Sequence, residues 1–313
     1  MRLAFAVLAL VVAAPVPTLP GAKTFRSCAG AGPYWPTQTL ALSGGFAWVA
    51  CKEDQRVLRV PLQSGQRRSI PLAGQPTAVL SAFGAVWTLD SGGTISRIDP
   101  RSARVTARLQ TGVSAPYNLW AGAGSLWSVD DSVGEVLRID PVRRTVTERI
   151  AVGDGAADLV FRGDRVWVIN HRDRGLVLID AATNKARRLT TVSGPVPERM
   201  AWAAGSLWVT GRGTDLLRLD PETGAAQATI EIGVGGIDVV AAGGALLVPV
   251  RNAVADPRGF PTMTWLRRVD PASGKVTTLV KTSRHIDVHG LVPYGRGVLF
   301  ADNTGGFLYA VPH

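Results

Sequence analysis

Near its C-terminal end the chain carries a histidine flanked by two acidic residues. Asp287 and His289 are separated by one residue, and Asp302 follows His289 thirteen residues later. A histidine between carboxylates can accept a proton from a reacting group, because a neighbouring carboxylate orients the imidazole and stabilises its charged form. A histidine held in place by hydrogen bonds alone gives the same pattern. The sequence leaves both interpretations open.

An internal repeat shows which structural units contain these residues. Residues 124–153 and 205–234 are close copies, and both begin with Gly-Ser-Leu-Trp. Aligned on this tryptophan, the chain contains seven equivalent positions: Trp48, Trp87, Trp127, Trp167, Trp208, Leu247 and Leu299. Five of the six intervals are 39 to 41 residues, and the last is 52 because of an insertion at 251–262. A repeat of about 40 residues is typical of radial repeat folds, in which each copy is one structural unit.

Each copy except the last contains four short segments with β-strand patterns. In the third copy they are Tyr117–Ala121, Ser125–Val129, Glu135–Ile139 and Thr145–Ile150, separated by turn sequences. The second segment is apolar on both faces, as in a strand between two neighbouring sheets. The fourth alternates apolar and polar residues, as in a half-exposed outer strand. The repeat therefore predicts an all-β fold, a seven-bladed β-propeller of four-stranded antiparallel blades.

The last copy lacks its fourth strand, which raises the question of how the ring closes. Its three strands are Val288–Pro293, Gly297–Ala301 and Phe307–Val311, and the segment Lys23–Cys28 precedes the first copy. We expect this N-terminal segment to complete the last blade. Cys28 would then lie near Cys51, and a disulfide between them would close a loop of about 24 residues.

The first 22 residues have the features of a cleaved signal peptide. A short positive start is followed by the apolar run Leu3–Val12, which is too short for a comfortable membrane span. We expect a signal peptide at 1–22, a single propeller domain at 23–313, secretion to an extracytoplasmic compartment, no transmembrane span and a monomer. Two cysteines in an oxidising compartment usually form a disulfide.

The chain has a formal net charge of +10, carried mostly by arginine. Many arginines fall on the turn before the outer strand or on that strand: Arg67, Arg68, Arg101, Arg104, Arg108, Arg143, Arg144, Arg187 and Arg188. Solvation and protection of the outer sheet edge explain most of them. The alternative is attraction to an anionic cell-wall polymer or to lipid head groups. Nucleic acid is not expected, because the arginines are not interleaved with exposed aromatic residues.

Residues that recur with the repeat are expected to maintain the scaffold. The tryptophans should wedge between blades, and a series of aspartates ending the third strands should accept backbone hydrogen bonds in turns: Asp99, Asp140, Asp180, Asp220 and Asp270. A binding or catalytic site should lie at positions whose residues differ from copy to copy.

The repeat is broken at one equivalent position of the aligned copies, nine residues before the tryptophan; we call such a set of equivalent residues a column. It contains Thr39, Ala78, Asn118, Asp158, Arg199, Asp238 and Gly290. Asn118, Asp158, Arg199 and Asp238 should face the mouth of the central channel, and Tyr117 and Glu198 directly precede two of them. These six residues are the candidate ligand-binding set. A further candidate is the insertion at 251–262, which is either a lid over the mouth or a tolerated loop.

The repeat units resemble a known family. The Asp-Pro-x-Ser/Thr-Gly turns, the Leu/Val-Trp strands and the Arg-Ile-Asp endings resemble the repeats of virginiamycin B lyases, and VWVINHRDRGLVLIDAATNKARRL in the fourth copy resembles a YVTN-type repeat. The resemblance covers residues 38–313. It implies a magnesium-dependent C–O lyase that opens a cyclic depsipeptide ester. His289 would be the general base, with Asp302 and Asp287 orienting it or holding the metal.

Three functions are therefore compatible with the sequence. The first is an exported propeller that captures a small molecule or peptide at its mouth. The second is a metal-assisted lyase or hydrolase of the virginiamycin B lyase type, centred on His289. The third is a cell-envelope protein that interacts through its basic rim.

Overall fold

The computed structural model describes residues 22–28, 38–113, 116–236, 238–251, 263–286, 288–302 and 306–312. Within these ranges it does not describe the side chains of Tyr117, Met263, Thr264, Ser283, Arg284, His285 and His289. The described residues form 28 strands arranged in seven four-stranded antiparallel sheets. They contain no helix long and apolar enough to cross a membrane.

The strands follow one another along the chain, blade by blade, after the N-terminal strand β1 (Lys23–Arg26). Blade 1 contains β2 (Leu40–Ser43), β3 (Phe46–Cys51), β4 (Arg56–Pro61) and β5 (Arg68–Pro71). Blade 2 contains β6 (Pro76–Ala82), β7 (Ala85–Asp90), β8 (Thr94–Asp99) and β9 (Arg104–Gln110). Blade 3 contains β10 (Pro116–Gly122), β11 (Ser125–Asp130), β12 (Glu135–Asp140) and β13 (Thr145–Ala151).

The remaining blades have the same order. Blade 4 contains β14 (Ala156–Arg162), β15 (Arg165–Asn170), β16 (Gly175–Asp180) and β17 (Lys185–Thr191). Blade 5 contains β18 (Val196–Ala203), β19 (Ser206–Arg212), β20 (Asp215–Leu219) and β21 (Ala226–Glu231). Blade 6 contains β22 (Val240–Ala242), β23 (Ala245–Arg251), β24 (Met263–Val269) and β25 (Val276–Ile286). Blade 7 contains β26 (Val288–Tyr294), β27 (Gly297–Asp302) and β28 (Phe307–Val311).

The predicted seven-bladed propeller is confirmed, and the strands of the third copy end within one residue of the predicted bounds. Ring closure is also confirmed, because β1 pairs antiparallel with β28 and gives blade 7 its fourth strand. In the sequence the predicted insertion falls between β23 and β24, and its residues 252–262 lie outside the described residues.

The tryptophan column packs between neighbouring blades, as the repeat predicts. Four of the five tryptophans are at most 1% exposed. In four blades the indole donates to the carbonyl five residues earlier: Trp48 to Ser43, Trp87 to Ala82, Trp127 to Gly122 and Trp208 to Ala203. An arginine directly opposite on the third strand stacks on each ring, in the pairs Trp48–Arg59, Trp87–Arg97, Trp127–Arg138 and Trp208–Arg218. The repeat thus encodes a buried aromatic ring capped by a cation.

The aspartates that end the third strands are turn residues, as expected. In each of the five, Oδ1 accepts hydrogen bonds from the backbone amides two and three residues further on: Asp99, Asp140, Asp180, Asp220 and Asp270. At Asp99, Asp140, Asp220 and Asp270 these bonds lower the pKa of the carboxyl, because they stabilise its charged form.

Several rim arginines are engaged in local contacts. Arg67 donates to the carbonyl of Arg26, Arg68 donates to the carbonyl of Ser102 at 3.2 Å, and Arg188 pairs with Asp173 at 3.0 Å. These contacts match the structural role expected for much of the rim. Binding of an anionic polymer through the rim stays a prediction.

Cys28 and Cys51 form the predicted disulfide, which joins the N-terminal segment to blade 1. Because the bond links two blades at the seam of the ring, its loss should act on the whole fold. Replacing both cysteines by serine should lower the free energy of unfolding by about 3 kcal/mol, since the unfolded chain regains loop entropy. Urea denaturation measures this difference.

A reductant provides the matched control. Reduction should destabilise the wild-type protein to the level of the double serine variant and leave that variant unchanged. A wild-type protein insensitive to complete reduction would contradict the stapling role.

Candidate functional site

Most of the candidate residues that precede the tryptophan by nine positions lie at or beside a β-bulge near the start of the inner strand. In five blades the pairing register shifts at this point, between Pro76 and Ala78, Pro116 and Leu119, Ala156 and Asp158, Pro197 and Arg199, and Val288 and Leu291. A bulge re-aims a side chain and leaves a backbone group outside the ladder. The polar column therefore coincides with a repeated irregularity of the inner strands.

Inner-strand residues surround a central channel cavity of 360 Å³. Most of its lining is apolar, and three charged residues interrupt it: Asp158, Arg199 and Asp238. They come from blades 4, 5 and 6, so three adjacent blades each contribute one. Asn118 is 1% exposed and does not line this cavity, whereas Trp120 on the same strand does.

Asp158 connects three blades through its carboxylate. Its Oδ1 accepts from the indole of Trp120 in blade 3 at 3.0 Å and from its neighbour Leu159 at 2.9 Å, and its Oδ2 accepts from the amide of Met200 in blade 5 at 2.7 Å. The Met200 amide follows the bulge at Arg199. Asp158 therefore supplies an acceptor for a backbone group near the irregular register.

Arg199 is the cation of this group and is 5% exposed. One of its guanidinium nitrogens donates to the carbonyl of Glu198 at 2.7 Å. Burial raises the pKa of Asp158, and the attraction of Arg199 opposes this rise. Burial also raises the pKa of Asp238 to about 7, against the attraction of Arg199 and with a smaller contribution from the charge of Asp158.

A second cavity of 200 Å³ lies on the mouth side of Arg199. Its lining contains Asp131, Ala156, Ala157, His171, Glu198, Arg199 and Arg212. Arg212 pairs with Glu198 at 2.7 Å, and the side chain of Glu198 is mostly buried. Because Arg199 lines both cavities, it separates the polar mouth from the apolar channel.

The loops around the mouth are tied together by ion pairs. Arg172, in the loop after β15, pairs with Asp131 of blade 3 and with Asp154 at 2.7 Å. These contacts fix the walls of the mouth between blades 3 and 4.

Three mouth residues were not among the candidates predicted from the sequence, Asp131, His171 and Arg212, and a fourth, Arg251, was predicted only as the first residue of the candidate insertion. All four lie four residues after the aligned tryptophan position, at or just past the end of the second strand. Two residues of the position one earlier make structural contacts: Asp90 accepts from the amides of Gly92 and Thr94, and Asn170 donates to the carbonyl of Val152. The variable, charged character of the later column was the signal that could have identified it.

The predicted catalytic group is described only in part. Asp302 ends β27, is 5% exposed and lies opposite Val288, and the backbone of His289 and Gly290 falls within the bulge of β26. Asp287 and the side chains of His289 and Tyr117 lie outside the described residues, so the assignment stays a prediction. The described residues contain no group of three His, Cys, Asp or Glu side chains able to hold a metal.

Another cavity, of 670 Å³, lies on the opposite face around the turn that joins β12 to β13. Its lining includes Arg138, which stacks on Trp127, and Asp140, which caps that turn. Since both residues belong to the repeat and already have structural roles, the mouth is the stronger candidate site.

No protein-family model matches the sequence, and no curated protein matches it. Among solved structures, the chain is similar to virginiamycin B lyase from Staphylococcus aureus, with a TM-score of 0.76 and 15% identity over 93% of this chain and 99% of that one. The two proteins share their fold. The predicted resemblance is thus confirmed as a virginiamycin B lyase-like β-propeller.

Proteins with other roles share this architecture. A chain of the mitotic checkpoint complex has a TM-score of 0.76 at 16% identity over 100% of this chain and 99% of that one. BamB from Moraxella catarrhalis has a TM-score of 0.60 at 14% identity over 88% and 83%. At these identities the similarity establishes the fold, and function must be argued from the site.

The raised pKa of Asp238 predicts how stability depends on pH. The folded protein holds this proton more tightly than the unfolded chain, whose aspartate has a pKa near 3.8. The free energy of unfolding should therefore fall as the pH rises from about 4 to about 7, and level off above that. Asp238→Asn, which resembles the protonated form, should be more stable than wild type at pH 8 by about 2 to 4 kcal/mol.

Urea denaturation of both proteins at pH 4.5 and pH 8 measures this effect. The difference between them should be small at pH 4.5, where the wild-type carboxyl is protonated in the folded state. A variant less stable than wild type at pH 8 would show that the charged carboxylate of Asp238 stabilises the fold.

Proposed function

We propose that this protein is an exported binding propeller whose mouth face captures a small molecule or peptide. One observation carries the proposal: the buried guanidinium of Arg199 lines both the polar mouth cavity and the apolar channel cavity. A ligand in the mouth would meet polar groups from blades 3, 4 and 5, and an apolar part of it would face the channel. Largely apolar cavities with a few fixed polar groups are typical of ligand sites.

Export is the second part of the proposal. The Cys28–Cys51 disulfide supports it, because such bonds persist in oxidising compartments. The proposed signal peptide at 1–22 would direct the chain there.

A lyase is the second candidate function, favoured by the similarity in fold to virginiamycin B lyase. It would use His289 as the general base, with Asp287 and Asp302 beside it. This chemistry would lie at the start of blade 7, whereas the binding proposal rests on blades 3 to 5.

Ligand identification on the purified protein tests the binding proposal. Native mass spectrometry after exposure to spent medium of the producing cells should show a bound species of defined mass. Arg212→Ala should abolish ligand binding or weaken the affinity by about tenfold, because this residue lines the mouth and pairs with Glu198. Arg108→Ala, an exposed change on the outer strand of blade 2, is the matched control and should bind like wild type. A ligand retained fully by Arg212→Ala would contradict the mouth site.

Incubation with virginiamycin B separates the two candidate functions. The binding proposal predicts that wild-type protein leaves the cyclic compound intact, as judged by chromatography with mass detection. Linearisation by wild type and its loss in His289→Ala would establish the lyase instead.

A further inference from the structure

Three arginines converge on the mouth between blades 5 and 6. Arg199 begins the regular part of β18, Arg212 ends β19, and Arg251 ends β23. Glu198 provides a carboxylate to two of them, because it pairs with Arg212 at 2.7 Å and attracts the charge of Arg251. Arg199 donates instead to the backbone carbonyl of Glu198. The group therefore brings guanidinium ions from two adjacent blades around one acidic side chain.

Arg251 is held in this position by the loop that enters blade 6. Its backbone amide donates to the carbonyl of Val234 at 2.9 Å, and its side chain packs against Gly235. A Cβ atom at Gly235 would lie 3.1 Å from Cδ of Arg251, so the glycine leaves room for the arginine. The loop thus fixes the stem of Arg251 and directs its charged end towards blade 5.

The guanidinium of Arg251 is crowded by like charge. Its Nε atom is buried and has no hydrogen-bond partner among the described residues. Burial lowers the pKa of Arg251, the attraction of Glu198 opposes this, and repulsion by Arg212 and Arg199 adds to the lowering. A buried guanidinium donor without an acceptor is costly, and an incoming anion would relieve both the repulsion and the missing hydrogen bond.

The other carboxylates nearby are committed elsewhere. Asp158 accepts three hydrogen bonds from Trp120, Leu159 and Met200 and faces the channel. Asp131 pairs with Arg172. Asp238 lines the channel, and its raised pKa reduces its negative charge near neutral pH. Among the residues that the structure describes, the mouth above blades 5 and 6 is therefore left with an excess of positive charge.

We propose that this cluster binds an oxyanion of the ligand, a carboxylate or a phosphate, between Arg212 and Arg251 with Arg199 beneath. The inference rests on the proposed function and specifies its ligand class as an anionic small molecule or peptide. The planar guanidinium group offers paired donors that match the two oxygens of a carboxylate or phosphate. Glu198 then acts as the internal anion that keeps Arg212 in place and competes with the ligand.

Calorimetric titration with citrate and with inorganic phosphate, each at a constant ionic strength set by sodium chloride, tests the site. Wild-type protein should bind at least one of the two anions, and the stronger one identifies the preferred oxyanion. Arg251→Met keeps the apolar stem and removes the charge, so it should weaken this binding by about tenfold. Glu198→Gln removes the competing carboxylate and should tighten it by roughly threefold or more.

Arg108→Met is the matched control, because Arg108 is exposed on the outer strand of blade 2, away from the mouth. It should bind both anions like wild type. The proposal is overturned if wild type binds neither anion, if Arg251→Met binds as tightly as wild type, or if Glu198→Gln weakens binding. Opposite effects of the two mouth variants cannot arise from a general loss of stability.

The outcomes also separate this inference from the proposed function. A neutral ligand that is lost in Arg212→Ala, together with no binding of citrate or phosphate, would refute the anion site and leave mouth binding intact. No ligand at the mouth in either experiment would refute both.

Discussion

A four-stranded blade has two apolar faces, and it can bury both only against other blades. Every other feature of this protein depends on that constraint. It explains why one segment is copied about every 40 residues, why tryptophans fill the gaps between copies, and why the two chain ends must share blade 7. Burial of large aromatic side chains supplies much of the energy that holds such sheets together.

The same constraint concentrates polar chemistry at the axis. On the outer strands polar side chains face solvent, whereas on the inner strands they face a narrow channel shared by all blades. A charge placed there must find partners from neighbouring blades, and Asp158 does so by accepting hydrogen bonds from blades 3, 4 and 5. Arg199 stands between two acidic residues for the same reason, and their pKa values rise because burial outweighs its attraction.

The sequence predicted the fold well because the sequence pattern of one blade recurs seven times. The strand patterns, the closing strand and the disulfide all followed from comparing copies, and each is confirmed. The candidate site was harder, since it lies where the copies differ. Asp158, Arg199 and Asp238 were predicted as candidates because they interrupt apolar sequence, and all three line the channel cavity.

Arg212 and His171 were missed because the end of the second strand contains two polar columns in succession. The earlier one is equally variable in sequence, but its members Asp90 and Asn170 make structural hydrogen bonds. Successive side chains of a strand point to opposite faces. Residues of the earlier column therefore contact the turns, whereas those one position later face the mouth. The burial that raises the pKa of Asp238 could not be read from the sequence, because it depends on how three blades meet.

We expect binding to occur where the repeat is broken, at the mouth, and not on the faces built from repeated residues. A crystal structure of the protein with its co-purified ligand tests this most directly. We predict ligand density in contact with Arg199 or with the Glu198–Arg212 pair. Density seated instead in the 670 Å³ cavity beside Asp140 and Arg143, with the mouth empty, would contradict the claim.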